Sequence, residues 1–288
     1  MNTSELLKKV RKIEIKTRGL STQLFSGEYH SAFKGRGMAF SEVREYQIGD
    51  EIRTIDWNVT ARMGDPYVKV FEEERELTVM LLVDISGSKA FGTRQRTKQE
   101  LATEISAVLA FSAISNNDKV GVIFFSDRIE KFVPAKKGKS HILQIIRHLI
   151  DFEPVSNKTD IKKALEYFMN TTKKRSTAFI LSDFICNSSF EDALKMTSKR
   201  HDLIAVELYD KKEIELPNIG IVPMQDMETG KTNWVNTSSK RVRENYNEKA
   251  VARKNTLHTQ FKKSGVSFTE IATDDDYVKS LMGMFKKR

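Results

Sequence analysis

Three oxygen-bearing side chains stand at alternate positions in one short stretch, Asp84, Ser86 and Ser88, at the end of the apolar run LTVMLLVDISGS. A carboxylate and two hydroxyls are hard donors, and converging hard donors suit a divalent cation. Two further groups fall in comparable places. Thr159 sits in a loop just ahead of a helical pattern, and Asp183 follows another buried apolar run. Two carboxylates, three hydroxyls and water match a small cation of near-octahedral preference. Mg2+ is the first expectation, with Mn2+ and Ca2+ as alternatives. Capping and turn chemistry alone would explain any one of these residues. Their joint placement at the ends of successive elements is what points to a metal.

Those elements must bring the residues to one edge. Leu77 to Asp84 has the length and apolar continuity of a strand buried on both faces. Thr97 to Ile114 carries Leu101, Ile105, Val108 and Leu109 at helical spacing behind a capping threonine. Lys119 to Ser126 reads as the next buried strand. The short Asp127-Arg128 link to Ile129–Ala135 requires an antiparallel hairpin, hence an edge strand, which Pro134 suits. A helix over 141–150 follows, then one capped by Asp160 and running through Thr171. Thr177 to Leu181 is a third buried parallel strand, residues 189–200 a helix, and Leu203 to Leu208 another strand. Residues 211–237 interrupt with a hairpin, under which Trp234 is expected to pack. A basic helix over 240–263, a strand over Val266–Ile271 and a short helix capped within Asp274-Asp275-Asp276 complete the chain. Strand and helix alternate. The expected fold is α/β, a doubly wound, mostly parallel sheet with one antiparallel edge strand, in residues 77–288. In open sheets of this kind ligands bind outside the carboxyl ends of the strands, where Asp84 and Asp183 would lie.

Residues 1–76 read differently, as an extension packed on the sheet. Residues 4–18 form a basic amphipathic helical pattern, expected to dock on the main domain. Gly35-x-Gly37 has neither a preceding strand nor a following Gly-Lys-Ser/Thr, so turn glycines are the better reading. In 41–76, Arg44, Asp50, Arg53, Asp56 and Arg62 alternate in sign around Tyr46, Ile48, Ile55 and Trp57. Partly buried charges must be paired, so a structural ion-pair network is expected there.

Composition narrows the function. The 288 residues carry a net charge of +9, spread over residues 1–36, 240–263 and the tail rather than held in one tract with interleaved aromatics. No specific nucleic-acid site is expected, and a nucleic-acid or anionic-membrane surface ranks last among the readings. Cys186 is the single cysteine, which rules out an intramolecular disulfide framework and a cysteine-rich zinc site. No apolar run approaches the roughly 20 residues of a membrane helix, and the N-terminus lacks a signal-peptide pattern, so no transmembrane segment and a cytoplasmic location are expected. An enzyme is not expected. A metal-dependent phosphohydrolase is the alternative, but such enzymes on similar sheets use Asp-x-Asp, and here Ser86 holds the place of the acid/base carboxylate.

Asp84, Ser86, Ser88, Thr159 and Asp183 together resemble the metal-ion-dependent adhesion site of von Willebrand factor A-type domains. Arg44-Glu45-Tyr46, Gly49-Asp50, Arg53-Thr54-Ile55-Asp56-Trp57, Ala61-Arg62 and Phe71-Glu72 resemble the signature of the bacterial "domain of unknown function 58" family. The resemblance implies that Ser86, Ser88 and Thr159 touch Mg2+ or a similar ion, and that Asp84 and Asp183 act mostly through water. It also implies that an Asp or Glu of a protein partner fills the remaining coordination position. A co-chaperone or adaptor role beside a MoxR-type AAA+ ATPase is a further implication.

Overall fold

A computed structural model describes residues 39–72, 77–86, 96–152, 155–186, 188–225 and 232–287. They form two compact units, one within residues 33–77 and one from residue 78 onward. The helical pattern at 4–18, Gly35-x-Gly37, Ser88 and the hairpin turn at 226–231 lie outside the described residues.

In the first unit β1 (Ala39–Glu45) pairs antiparallel with β2 (Tyr67–Glu72), with a register shift between Phe40 and Glu42. A 3-10 turn (Ile52–Thr54) and α1 (Trp57–Met63) connect them. Asp56 caps α1 by accepting from the backbone N–H of Asn58 and Val59, and Gly64 closes it at φ 87°. That left-handed conformation costs glycine little. Arg44 makes a two-pronged pair with Asp50, both contacts at 2.7 Å, and Asp50 also accepts from Gln47 N–H at 2.8 Å. The guanidinium holds the Asp50 carboxyl below its ordinary range. Asp56 pairs with Lys69 at 3.3 Å. Arg53 and Arg62 are exposed and stand apart from these pairs. Of the four apolar residues expected to be partly buried, Tyr46 and Ile55 are half-buried, whereas Ile48, in the turn closed by Asp50, is fully exposed and Trp57, at the start of α1, is 67% exposed. Trp57 is the first residue of α1, and the half-buried positions of this helix are instead Val59 and Thr60, whose hydroxyl accepts from Tyr67 N–H at 3.0 Å.

The second unit is built on a six-stranded sheet of order β10-β7-β6-β3-β4-β5. Its strands are β3 (Thr78–Asp84), β4 (Lys119–Phe125), β5 (Ile129–Lys136), β6 (Thr177–Ser182), β7 (Asp202–Tyr209) and β10 (Ser267–Ala272). All neighbours pair in parallel except β4 and β5. The apolar runs predicted this: Val79 to Val83, Val122 to Phe125 and Ala178 to Leu181 are each at most 1% exposed. Helices α2 (Lys98–Ser115), α3 (Lys139–Asp151), α4 (Ile161–Thr171), α5 (Glu191–Arg200), α6 (Lys240–Lys263) and α7 (Tyr277–Lys286) accompany the sheet. This is the doubly wound arrangement with one antiparallel edge expected from the sequence.

The hairpin β8 (Ile221–Gln225) and β9 (Thr232–Asn236) forms a separate two-stranded sheet. Trp234 is 73% exposed, not packed beneath it: its neighbours Asn233 and Val235 line a cavity with Val242 and Tyr246 of α6, and strand alternation leaves Trp234 on the other face. The acidic triplet divides its work: Asp276 caps α7, while Asp274 and Asp275 pair with Lys211 at 2.9 and 3.2 Å.

The junction of α5 and β7 carries a pH-sensitive group. His201 is 1% exposed, tilted against the Phe168 ring at 4.5 Å, and neither ring nitrogen has a hydrogen-bond partner among the described residues. Burial, reinforced by Arg200 and Arg175, lowers its pKa to about 4. The unfolded chain, with an ordinary histidine near 6.5, then binds the proton first. Stability is therefore undiminished above about pH 6.5, falls as the pH drops from there toward 4, and levels off below, a loss of about 3 kcal/mol from this residue. Urea unfolding of the wild type and His201→Leu across pH 4–7 is expected to show a shallower acid slope in the variant. Equal slopes would refute the assignment.

Candidate functional site

The chain leaves β3 for β4 and β5 on one side of the sheet, then crosses to build β6, β7 and β10 on the other. The strand order therefore reverses about β3, and the crevice outside the carboxyl ends of β3 and β6 is where open sheets bind ligands. Register places the side chains there. Val83 lies opposite Leu181, so Asp84 ends β3 as Ser182 ends β6. The β3–β4 ladder continues one step further, Ile85 N–H donating to Phe125 O at 2.9 Å, which fixes the backbone leading into Ser86.

Asp84 is fully buried. Its Oδ1 accepts from Ser86 N–H at 2.9 Å and its Oδ2 from the Ser182 hydroxyl at 2.6 Å. Burying a carboxylate is costly unless its oxygens are satisfied, and the loop hydrogen bond both satisfies Asp84 and aims the Ser86 side chain. Thr159 approaches from across the rim. Asp160 N–H donates to Ser126 O at 2.9 Å, tying the loop to the end of β4, and the Asp160 carboxylate caps α4 by accepting from Lys163 N–H at 3.1 Å. The Thr159 hydroxyl then donates to Ser86 Oγ at 2.8 Å, both residues being at most 8% exposed.

Asp183 follows β6. Its Oδ1 accepts from Ile185 N–H at 3.1 Å and its Oδ2 from the ammonium of Lys98 at 2.8 Å. The turn includes Phe184 at φ 54°, a left-handed conformation that costs an L-residue roughly 1–2 kcal/mol. Lys98, near the start of α2, is 1% exposed and also donates to Glu213 Oε1 at 2.7 Å. Burial acts against its charge, but Asp183 and Glu213 outweigh burial and hold its pKa above the ordinary lysine value. Glu213 belongs to the 3-10 turn Lys211–Glu213 after β7, where it and Asp210 cap each other.

Asp84, Ser86, Thr159 and Asp183 thus all stand on one rim. Ser182, Lys98 and Glu213 are additional. Lys98 had a signal in the sequence: it shares the spacing of Leu101, Ala102 and Ile105, an apolar stripe on which a lysine needs a partner. Ser182 and Glu213 had none, since both act through register and a distant turn.

The donors present fit a hard cation. Adjacent ligands of an octahedral ion with bonds of about 2.1 Å stand about 3 Å apart, close to the buried Ser86–Thr159 hydroxyl pair at 2.8 Å. Asp183 has both oxygens engaged, which suits a carboxylate acting on an ion through water. Among the described residues no imidazole hydrogen-bonds to any of these groups. Nearby Cys186 is no ready nucleophile, as burial pushes its thiol up to about 11.

The chain is similar to uncharacterized relatives and to solved structures. An uncharacterized protein of Mycobacterium tuberculosis (strain H37Rv) is 27% identical over 281 residues, covering 97% of this chain and 88% of its own length. The crystal structure of the conserved hypothetical protein BatB from Bacteroides thetaiotaomicron superposes with a TM-score of 0.50 at 16% identity, covering 73% of this chain and 98% of its own. The SpRpn10 VWA domain aligns with a TM-score of 0.39 at 9% identity, over 74% of this chain and 96% of its own. No helix among the described residues is long and apolar enough to cross a membrane. Residues 42–256 match the family described as "Protein of unknown function DUF58", and the chain belongs to that family.

Proposed function

We propose that the chain is a metal-dependent protein-binding module that captures a partner's Asp or Glu through a divalent cation. The carrying observation is the buried Ser86–Thr159 hydroxyl pair, braced by Asp84 at the reversal point of the sheet. In this reading Ser86, Ser88 and Thr159 hold Mg2+, and Asp84 and Asp183 support it through water and hydrogen bonds. The ion supplies Lewis acidity: with few protein carboxylates bound directly, it favours a carboxylate from outside. The protein's own residues fix the site beforehand. Ser182 locks Asp84, the Asp160 cap sets the loop of Thr159, and Lys98 orients Asp183. A partner then pays little for ordering the surface it meets.

A MoxR-type AAA+ ATPase is the proposed partner, on the resemblance of residues 44–72 and of the metal-site motif. The test is affinity capture from the native cell with the tagged full chain, in Mg2+ and in EDTA, with Thr159→Val in parallel. Val keeps the shape of Thr159 and removes the hydroxyl. The expected result is a partner retained in Mg2+ and lost in EDTA and in the variant. Capture indifferent to both would end this reading, while a Mg2+-dependent partner other than an ATPase would end only the ATPase assignment.

A further inference from the structure

A second cluster of metal-ligating groups lies two strands away from β3. Glu207 on β7 and Glu270 on β10 are partners in parallel register, so their side chains leave the same face of the sheet side by side. Like charges set abreast destabilise a sheet, and here Glu207 is only 8% exposed. The overlying helix supplies the groups that offset this repulsion.

Helix α6 passes over that face and presents Lys254 and His258, one turn apart. The ammonium of Lys254 pairs with Glu270 Oε2 and lies 4.9 Å from the centre of the Tyr209 ring. It therefore engages one oxygen of Glu270 and leaves the other to the imidazole. His258 Nε2 stands 2.9 Å from Glu270 Oε1 and 3.2 Å from Glu207 Oε2. One ring nitrogen thus faces two carboxylate oxygens. A single N–H points along only one of these lines. A metal ion in front of the nitrogen meets both oxygens at once.

The distances suit that ion. Tetrahedral zinc, with bonds of about 2.0–2.1 Å to nitrogen and oxygen, sets its ligands roughly 3.3 Å apart. All three donor atoms lie within 4.8 Å of one another. The ring of His258 is oriented by Phe268, centroids 4.6 Å apart, and Lys254 orients Glu270, the kind of outer support that metal ligands use. An imidazole among carboxylates favours a borderline ion such as Zn2+ over Mg2+.

We propose that Glu207, His258 and Glu270 form a second divalent-metal site, for Zn2+ or an ion like it, separate from the rim around Asp84. Three protein ligands leave one tetrahedral position for water or an incoming group.

The test uses the untagged full chain and Co2+, whose tetrahedral complexes absorb strongly in the visible, with Zn2+ competing. The wild type and Asp84→Ala are both expected to give the tetrahedral bands, Asp84→Ala with one Co2+ bound, and Zn2+ to abolish them. His258→Gln is expected to lose the bands, and Glu270→Gln to weaken binding by more than the ~10–100-fold typical of losing a supporting residue. Zn2+ is also expected to raise the melting temperature of Asp84→Ala and not of the double variant Asp84→Ala/His258→Gln, in which both sites are removed. Circular dichroism checks that each variant is folded, and if His258→Gln is not, Glu207→Gln is read in its place. No bands in the wild type, or bands that survive in the folded variants, would show an ion-paired cluster only and overturn the site. Because Asp84→Ala keeps this site, failure here is distinguishable from failure of the rim.

Discussion

Lys98→Met is expected to lower the stability of the fold by about 3–5 kcal/mol, the usual cost of removing one partner from a buried ion pair. Methionine fills a similar volume, so little of the loss comes from packing. What remains is Asp183 at 6% exposure with its Oδ2 no longer paired to an ammonium, and Glu213 beside it. Urea unfolding checks the magnitude, and a loss below about 1 kcal/mol would mean that the carboxylates find other partners. Adding Glu213→Gln to the variant is expected to restore part of the loss, since one of the two carboxylates that lost the ammonium is then neutral. The same substitution has an opposite effect at the rim. A fixed positive charge next to Asp183 repels an incoming cation, so Lys98→Met is expected to bind Mg2+ more tightly while folding less stably. Tighter binding in a weaker protein separates this electrostatic role from a general loss of structure.

Asp84→Asn is expected to weaken Mg2+ binding roughly 30- to 5,000-fold, the equivalent of about 2–5 kcal/mol for loss of a buried charge partner. Asn keeps the shape of the side chain. Its carbonyl accepts from Ser86 N–H as Asp84 Oδ1 does, and the Ser182 hydroxyl turns from donor to acceptor toward the amide. The fold is therefore expected to persist while the charge disappears. Calorimetric titration of Mg2+ into the wild type and the variant measures the ratio. Equal affinities would remove Asp84 from any metal site.

The sheet was legible because burial on both faces writes itself as continuous apolar runs, and Val79–Val83 and Ala178–Leu181 are such runs. The placement of Asp84 and Asp183 at strand ends followed from those runs and the helices between them. What joins the two strands did not. The hydrogen bond from Ser182 to Asp84 spans 98 residues and depends on the pairing of β3 with β6, which no local pattern encodes. Glu207, His258 and Glu270 met in the same way, through strand register and a helix crossing. The exposure of Ile48, Trp57 and Trp234 was misjudged for the converse reason. Apolar character predicts burial only on the face that a neighbouring element covers, and in α1 and the hairpin that face holds Val59, Thr60 and Val235 instead.

The antiparallel edge strand β5 bears on how the protein meets others. Its sequence, Ile129 to Lys136, places Glu130, Lys131 and Lys136 along the strand, and Pro134 within it donates no backbone hydrogen bond. The ladder to β4 is irregular at the same point, shifting between Val120 and Val122. Charged side chains, a proline and a bulge are the devices by which edges resist pairing with another chain. Strand addition on this side, the route of many peptide-binding domains and of fibre growth, is thereby closed. On the proposed function, recognition falls instead to side chains at the ends of the strands.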